Sequence, residues 1–137
     1  MVPAPSPGRR HATNDEVLAF ADRFIDALNV GDPELVRGFY QPDATVWHNF
    51  DNAEQSLPEN LKVLEWMVRK ASERRYRVLR RELVPGGWFQ QHVLEAKNAS
   101  GREMKLYACC VVTLRDGLIQ RIEEYVDPAQ AAVLREK

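Results

Sequence analysis

Apolar residues recur at Val17, Phe20, Ala21, Phe24 and Leu28, the spacing of one helical face, behind a capping box made by Thr13 and Glu16. This pattern predicts a long amphipathic first helix. Gly31 supplies its stop, Asp32 and Pro33 open a short second helix with Leu35, Val36 and Phe39 on its inner face, and Gln41-Pro42-Asp43 is expected to end it. Ala44 to Phe50 is rich in β-branched and aromatic residues and reads as a strand, with the polar run Asp51 to Gln55 as its exit loop. Ser56 and Glu59 repeat the capping box, and Leu57, Leu61, Leu64, Val68 and Ala71 form the stripe of a third helix whose first turn tolerates Pro58.

From Arg75 the period changes. Tyr76 to Val84, Trp88 to Ala96, Met104 to Leu114 and Leu118 to Val126 read as successive antiparallel strands, separated by Pro85-Gly86-Gly87, a polar turn near Asn98 to Gly101, and the hairpin signal Asp116-Gly117. Asp127-Pro128 then opens a short C-terminal helix. The order helix, helix, strand, helix, four strands predicts an α+β fold in which a curved antiparallel sheet wraps the helices as a cone, leaving a hollow at its open end. No internal repeat and no second domain are visible, so residues 13–137 are read as a single domain behind a Pro-rich, disordered tail over residues 1–12.

Composition narrows the partners. A net charge of −1 over 137 residues gives no overall pull toward nucleic acid or anionic lipid. The basic run Arg69, Lys70, Arg74, Arg75, Arg77, Arg80 and Arg81 is interleaved with Glu73 and Glu82 and reads as a solvated or intersubunit face. The longest apolar run, Leu106 to Val112, is far short of the ~20 residues of a membrane span. The N-terminus lacks the apolar stretch of a secretory signal, which points to a cytoplasmic protein. Cys109 and Cys110 are strand neighbours facing opposite ways, and His11, His48 and His92 are scattered, so neither a disulfide nor a metal site is expected.

Several segments are recognisable. Arg23 to Asp32, then Phe39, Tyr40, Asp43 to Val46 and Trp47-His48-Asn49, with the closing Asp116 to Ile119 and Ile122 to Tyr125, resemble the opening and last hairpin of SnoaL-like polyketide cyclases, ketosteroid isomerases and limonene epoxide hydrolases. The resemblance implies the nuclear transport factor 2-like, cystatin-like α+β roll, no cofactor, and a homodimer through the outer sheet face. The isomerase's oxyanion tyrosine falls on Phe24, its base aspartate on His48 and its protonated aspartate on Cys110; Phe24 cannot donate a hydrogen bond, so steroid isomerisation is not expected. In the epoxide hydrolase pattern the water-holding asparagine falls at or beside His48-Asn49 and the base aspartate on Glu124. Its arginine and acidic partner fall near His92 and Leu94 or Glu95.

The residues themselves lead to the same place. By period 2, Leu118, Gln120, Ile122, Glu124 and Val126 share a strand face, which sets one carboxylate among mostly apolar neighbours. An imidazole opposite it, on the strand carrying His48, can accept or relay a proton while the carboxylate fixes its tautomer. The expectation is therefore an acid/base enzyme of isomerase, cyclase, dehydratase or hydrolase type acting on a small hydrophobic metabolite. His48 and Glu124 would handle the proton, Asn49 and His92 would position the ligand, and Phe20, Phe24, Trp47, Cys110, Ile122 and Val126 would wall it. The competing expectation is a non-catalytic ligand-binding or dimerisation module on the same cone. Tyr107, Cys109 and Val111 supply the outward apolar row that a dimer would cover.

Overall fold

A computed structural model describes residues 12–136. The tail expected over residues 1–12 lies, except for Ala12, outside the described residues. Helix α1 (Asn14–Val30) starts at the expected capping box and ends at Gly31, whose φ of 80° is the left-handed conformation glycine adopts most readily. Arg74 secures that end, donating to the carbonyls of Leu28 and Asn29 at 2.7 and 3.4 Å. Asp32 caps the short α2 (Pro33–Arg37), and Ser56 with Glu59 caps α3 (Leu57–Lys70). Within α3 the buried positions are Leu57, Leu61 and Leu64, whereas Val68 of the expected stripe is largely exposed.

Six strands form one sheet in the order β2-β1-β6-β5-β4-β3, made of β1 (Tyr40–His48), β2 (Glu54–Ser56), β3 (Ser72–Val84), β4 (Gly87–Lys97), β5 (Glu103–Arg115) and β6 (Leu118–Val126). The expected wholly antiparallel sheet is corrected: β1 runs parallel to β6, making the sheet mixed. Parallel neighbours need a long crossover, and here the intervening chain contributes α3 and four more strands before β6 returns beside β1. Two boundaries also move. The end of the exit loop, Glu54 and Gln55, pairs together with the helix-cap residue Ser56 against Thr45 to Trp47 as an edge strand. Gln41-Pro42-Asp43 belongs to β1, where pairing jumps from Tyr40↔Ile119 to Thr45↔Arg121; Pro42 has no N–H to give a ladder and sits inside that bulge. The C-terminal helix is a 3-10 helix, Pro128–Arg135, capped by Asp127.

The inner sheet face and the helices enclose the main core, in which Phe24, Val36, Tyr40, Leu61, Leu64, Trp88, Val112, Ile119 and Ile122 are buried together. A second cluster, Leu94, Ala96, Met104 and Leu134, ties the 3-10 helix to the distal strands. Three irregularities decide which side chains face the core. The β1 bulge is one. A shift between Thr113 and Leu114 lets both Ile119 and Ile122 bury, so the expected shared face of Leu118, Gln120, Ile122 and Glu124 is broken at Gln120. A shift between Val78 and Arg80 sets Arg81 opposite the buried Gln90.

Candidate functional site

One row of the sheet carries the candidate chemistry. In register, His48 of β1 pairs with Glu124 of β6, Glu124 with Cys110 of β5, Cys110 with Gln90 of β4, and Gln90 with Arg81 of β3. Paired residues share a sheet face, so backbone pairing alone brings these five side chains together. Facing them, α1 and α3 close a cavity of about 120 Å³ whose walls include Phe24, Val46, Leu61, Leu64, Trp88 and Ile122. For scale, a void of about 150 Å³ holds one benzene ring.

His48 Nε2 lies 3.4 Å from Glu124 Oε1, with side chains 12% and 27% exposed, so the pair sits at the cavity wall with restricted access to water. At 3.4 Å the contact is an ion-pair approach, longer than the ~2.7–3.2 Å of a formed N–H···O hydrogen bond. Glu124 is also felt across the hollow. The Tyr40 and Tyr76 phenols and the Cys110 thiol are pushed above their ordinary values, first by burial and then by the Glu124 charge. All three therefore stay protonated near neutrality. His92 moves the other way: burial holds its pKa down, against the attraction of Glu124 and with the repulsion of Arg81.

Of the expected site residues, the structure gathers His48, Glu124, His92, Phe24, Cys110 and Ile122 around the cavity, and four stand apart. Trp47 follows the opposite parity from His48; its ring packs edge-on against Tyr125 at 5.3 Å and its indole donates to Asn52 Oδ1 at 2.8 Å. Asn49 lies just past β1 and serves the backbone: its Oδ1 accepts from Val126 N at 2.8 Å, and its own N–H donates to the Glu124 carbonyl at 3.2 Å. That clasp holds the segment of β6 that carries Glu124. Val126 lies beyond Glu124 at the strand end, outside the lining, and Phe20 packs behind it against Phe39 and Trp88. On the middle strand, Glu95 points outward to an ion pair with Arg77 at 3.0 Å, whereas His92 is only 6% exposed on the inner face.

Sequence reasoning misses Tyr40, Tyr76, Trp88, Gln90 and Asn60, all of which line the cavity. Trp88 Nε1 is buried without a hydrogen-bond partner among the described residues. Parity from His92 would have found Gln90 and Trp88, two and four positions earlier on the same strand. The expectation that the basic run forms a solvated or intersubunit face is corrected at two positions: Arg74 secures α1, and Arg81 reaches inward to Gln90 with its side chain 11% exposed. Among the described residues no group of three or more His, Cys, Asp or Glu is placed to hold a metal ion. No helix of the described residues is long and apolar enough to cross a membrane.

Comparison with known proteins agrees with this architecture. Residues 21–122 match the SnoaL-like domain model, and the chain belongs to that family. Similar solved structures include PrhC from Penicillium brasilianum, at 14% identity and a TM-score of 0.79 over 90% of this chain and 87% of that one. AusH from Aspergillus nidulans shares 16% identity with a TM-score of 0.75 over 85% and 87%. The pinacolase BvnE from Penicillium brevicompactum shares 10% identity with a TM-score of 0.77 over 88% and 92%. At such identities these likenesses establish the fold, a nuclear transport factor 2-like cone, and leave the chemistry to the residues. No curated protein sequence matches the chain significantly.

Proposed function

We propose that the chain is a cofactor-independent acid/base enzyme acting on a small hydrophobic metabolite, with His48 and Glu124 as its proton-handling pair. The observation that carries this is the 3.4 Å approach of Nε2 to Oε1 at the wall of an otherwise mostly apolar cavity. Glu124 holds the His48 tautomer and stabilises the imidazolium that forms when the pair takes a proton from substrate or from a water. Protonated Tyr40 and Tyr76 and neutral His92 offer donors, so the hollow suits a ligand with an apolar body and an acceptor oxygen. Membership of a family whose structural neighbours include a pinacolase is consistent with small-molecule conversion.

The test is turnover of a panel of small epoxides, enones and β-dicarbonyl compounds by the wild type, His48→Ala and Glu124→Gln. Loss of a positioned general base costs about 10²- to 10⁴-fold, so both variants should remain folded and lose at least that lower factor in kcat. Retention of full turnover by both on a substrate that the wild type converts contradicts the assignment. We also propose that two copies pair through the outer sheet face, where Leu79, Tyr107 and Tyr125 are each about half exposed and Tyr125 packs against Trp47.

A further inference from the structure

Arg81 reaches the inner face because the irregularity between Val78 and Arg80 changes its parity. Its guanidinium has only donors to offer. Nε donates to Gln90 Oε1 at 2.9 Å and Nη1 donates to Asp22 Oδ1 at 2.6 Å. With the Gln90 oxygen held toward Arg81, the amide nitrogen faces His92, and Gln90 Nε2 lies 3.0 Å from His92 Nδ1. Both side chains are buried, at 3% and 6% exposure.

An amide nitrogen donates and does not accept, so His92 Nδ1 must be the bare lone pair. The ring's one remaining proton then sits on Nε2, which makes no hydrogen bond among the described residues, while the ring lines the cavity with Tyr76 against it at 5.6 Å. We propose that Arg81 and Gln90 are positioning residues that lock His92 as the neutral imidazole protonated on Nε2, so that it meets the ligand as a donor to a carbonyl oxygen and not as a base. Only the last clause rests on the cavity being a substrate site; the tautomer follows from the chain of partners alone.

The surrounding charges are consistent with a neutral ring. Glu124 on β6 favours the imidazolium; Arg81 on β3 disfavours it, Tyr76 and Cys110 are neutral, and burial outweighs the Glu124 attraction. A second proton on Nδ1 would also face the Gln90 amide donor and break the bond that aligns the ring. His48 and His92 thus differ in surroundings: the first faces a carboxylate, the second an amide donor.

Long-range ¹H–¹⁵N correlation of the imidazole nitrogens tests this in the unliganded full chain, with His92→Gln identifying the His92 signals. The expected pattern is a bare Nδ1 and a protonated Nε2, unchanged from about pH 8 to about pH 5.5, where an ordinary histidine has titrated. Gln90→Glu replaces the donor beside Nδ1 with an acceptor, so it should move the proton to Nδ1 and raise the His92 midpoint by at least about one unit. Cyclohexanone bound in the cavity should shift the His92 Nε2 proton downfield. A wild-type ring protonated on Nδ1, an ordinary midpoint near about 6.5, or a folded Gln90→Glu protein with an unchanged His92 pattern would overturn the lock. Cyclohexanone shifts at Phe24 and Ile122 without one at His92 Nε2 would overturn the donor role. Failure of the His48–Glu124 assignment would leave the His92 resonances as described, so the two outcomes are separable.

Discussion

The backbone register of β1 with β6 places the His48 imidazole and the Glu124 carboxylate side by side. His92 is different in kind, because its surroundings disfavour charge. Its pKa is lowered in the folded chain, so in the interval below the ordinary value of about 6.5 the unfolded chain binds more protons. Stability is therefore intact above that value and falls with pH through the window down to the folded value. Urea unfolding at about pH 7.5 and about pH 5.5 should show a larger acid loss for the wild type than for His92→Gln, and equal losses would contradict the burial effect. The cysteines offer a second check. Burial raises both thiols, but Cys110 is buried on the inner face while Cys109 is partly exposed on the outer one. Since the thiolate reacts, a thiol reagent at about pH 8 should label Cys109 first and Cys110 only on unfolding, as mass spectrometry of the labelled peptides would show.

The helices are legible in the sequence because their signals are local. Thr13 with Glu16 and Ser56 with Glu59 form both bonds of the capping box where the sequence pattern puts them. Ser56→Ala should cost about 1 kcal/mol of unfolding free energy, and Leu61→Ala, which removes a buried contact of α3 with the cavity, about 2–5 kcal/mol, both read from urea midpoints. The strands are legible as runs of alternation, but their faces are not. Bulges at Pro42, Leu79 and Gln120 each reset the parity of the residues beyond them, and nothing in a period-2 pattern announces them. That is why alternation alone leaves Arg81 in solvent and sets Gln120 on the face of Glu124. Trp47 and Asn49 depart from expectation for a simpler reason: Trp47 has the wrong parity beside His48, and Asn49 spends its amide oxygen on the Val126 backbone.

In the molecule as a whole, the feature hidden from local reading is the parallel return of β6 beside β1, a contact across 77 residues of chain at Asn49 and Val126, which creates the site row. The resemblance in the opening and closing segments supplies the cone, yet it does not supply Tyr76, Gln90 or Trp88, which lie outside the matching motifs. The outer face makes its own prediction. If Leu79, Tyr107 and Tyr125 meet a second copy, the chain should elute as a dimer at micromolar concentration, and Tyr107→Glu with Tyr125→Glu should shift it to monomer; a wild type that stays monomeric would contradict this.

The sharpest examination of the acid/base account is a double-mutant cycle in kcat on a substrate that the wild type converts, comparing His48→Ala, Glu124→Gln and the double variant. Groups that act as one unit lose their joint contribution when either is removed. The double variant should therefore be about as slow as the slower single one. Single variants at wild-type rate, or losses that multiply in the double variant, would contradict a proton shared between His48 and Glu124.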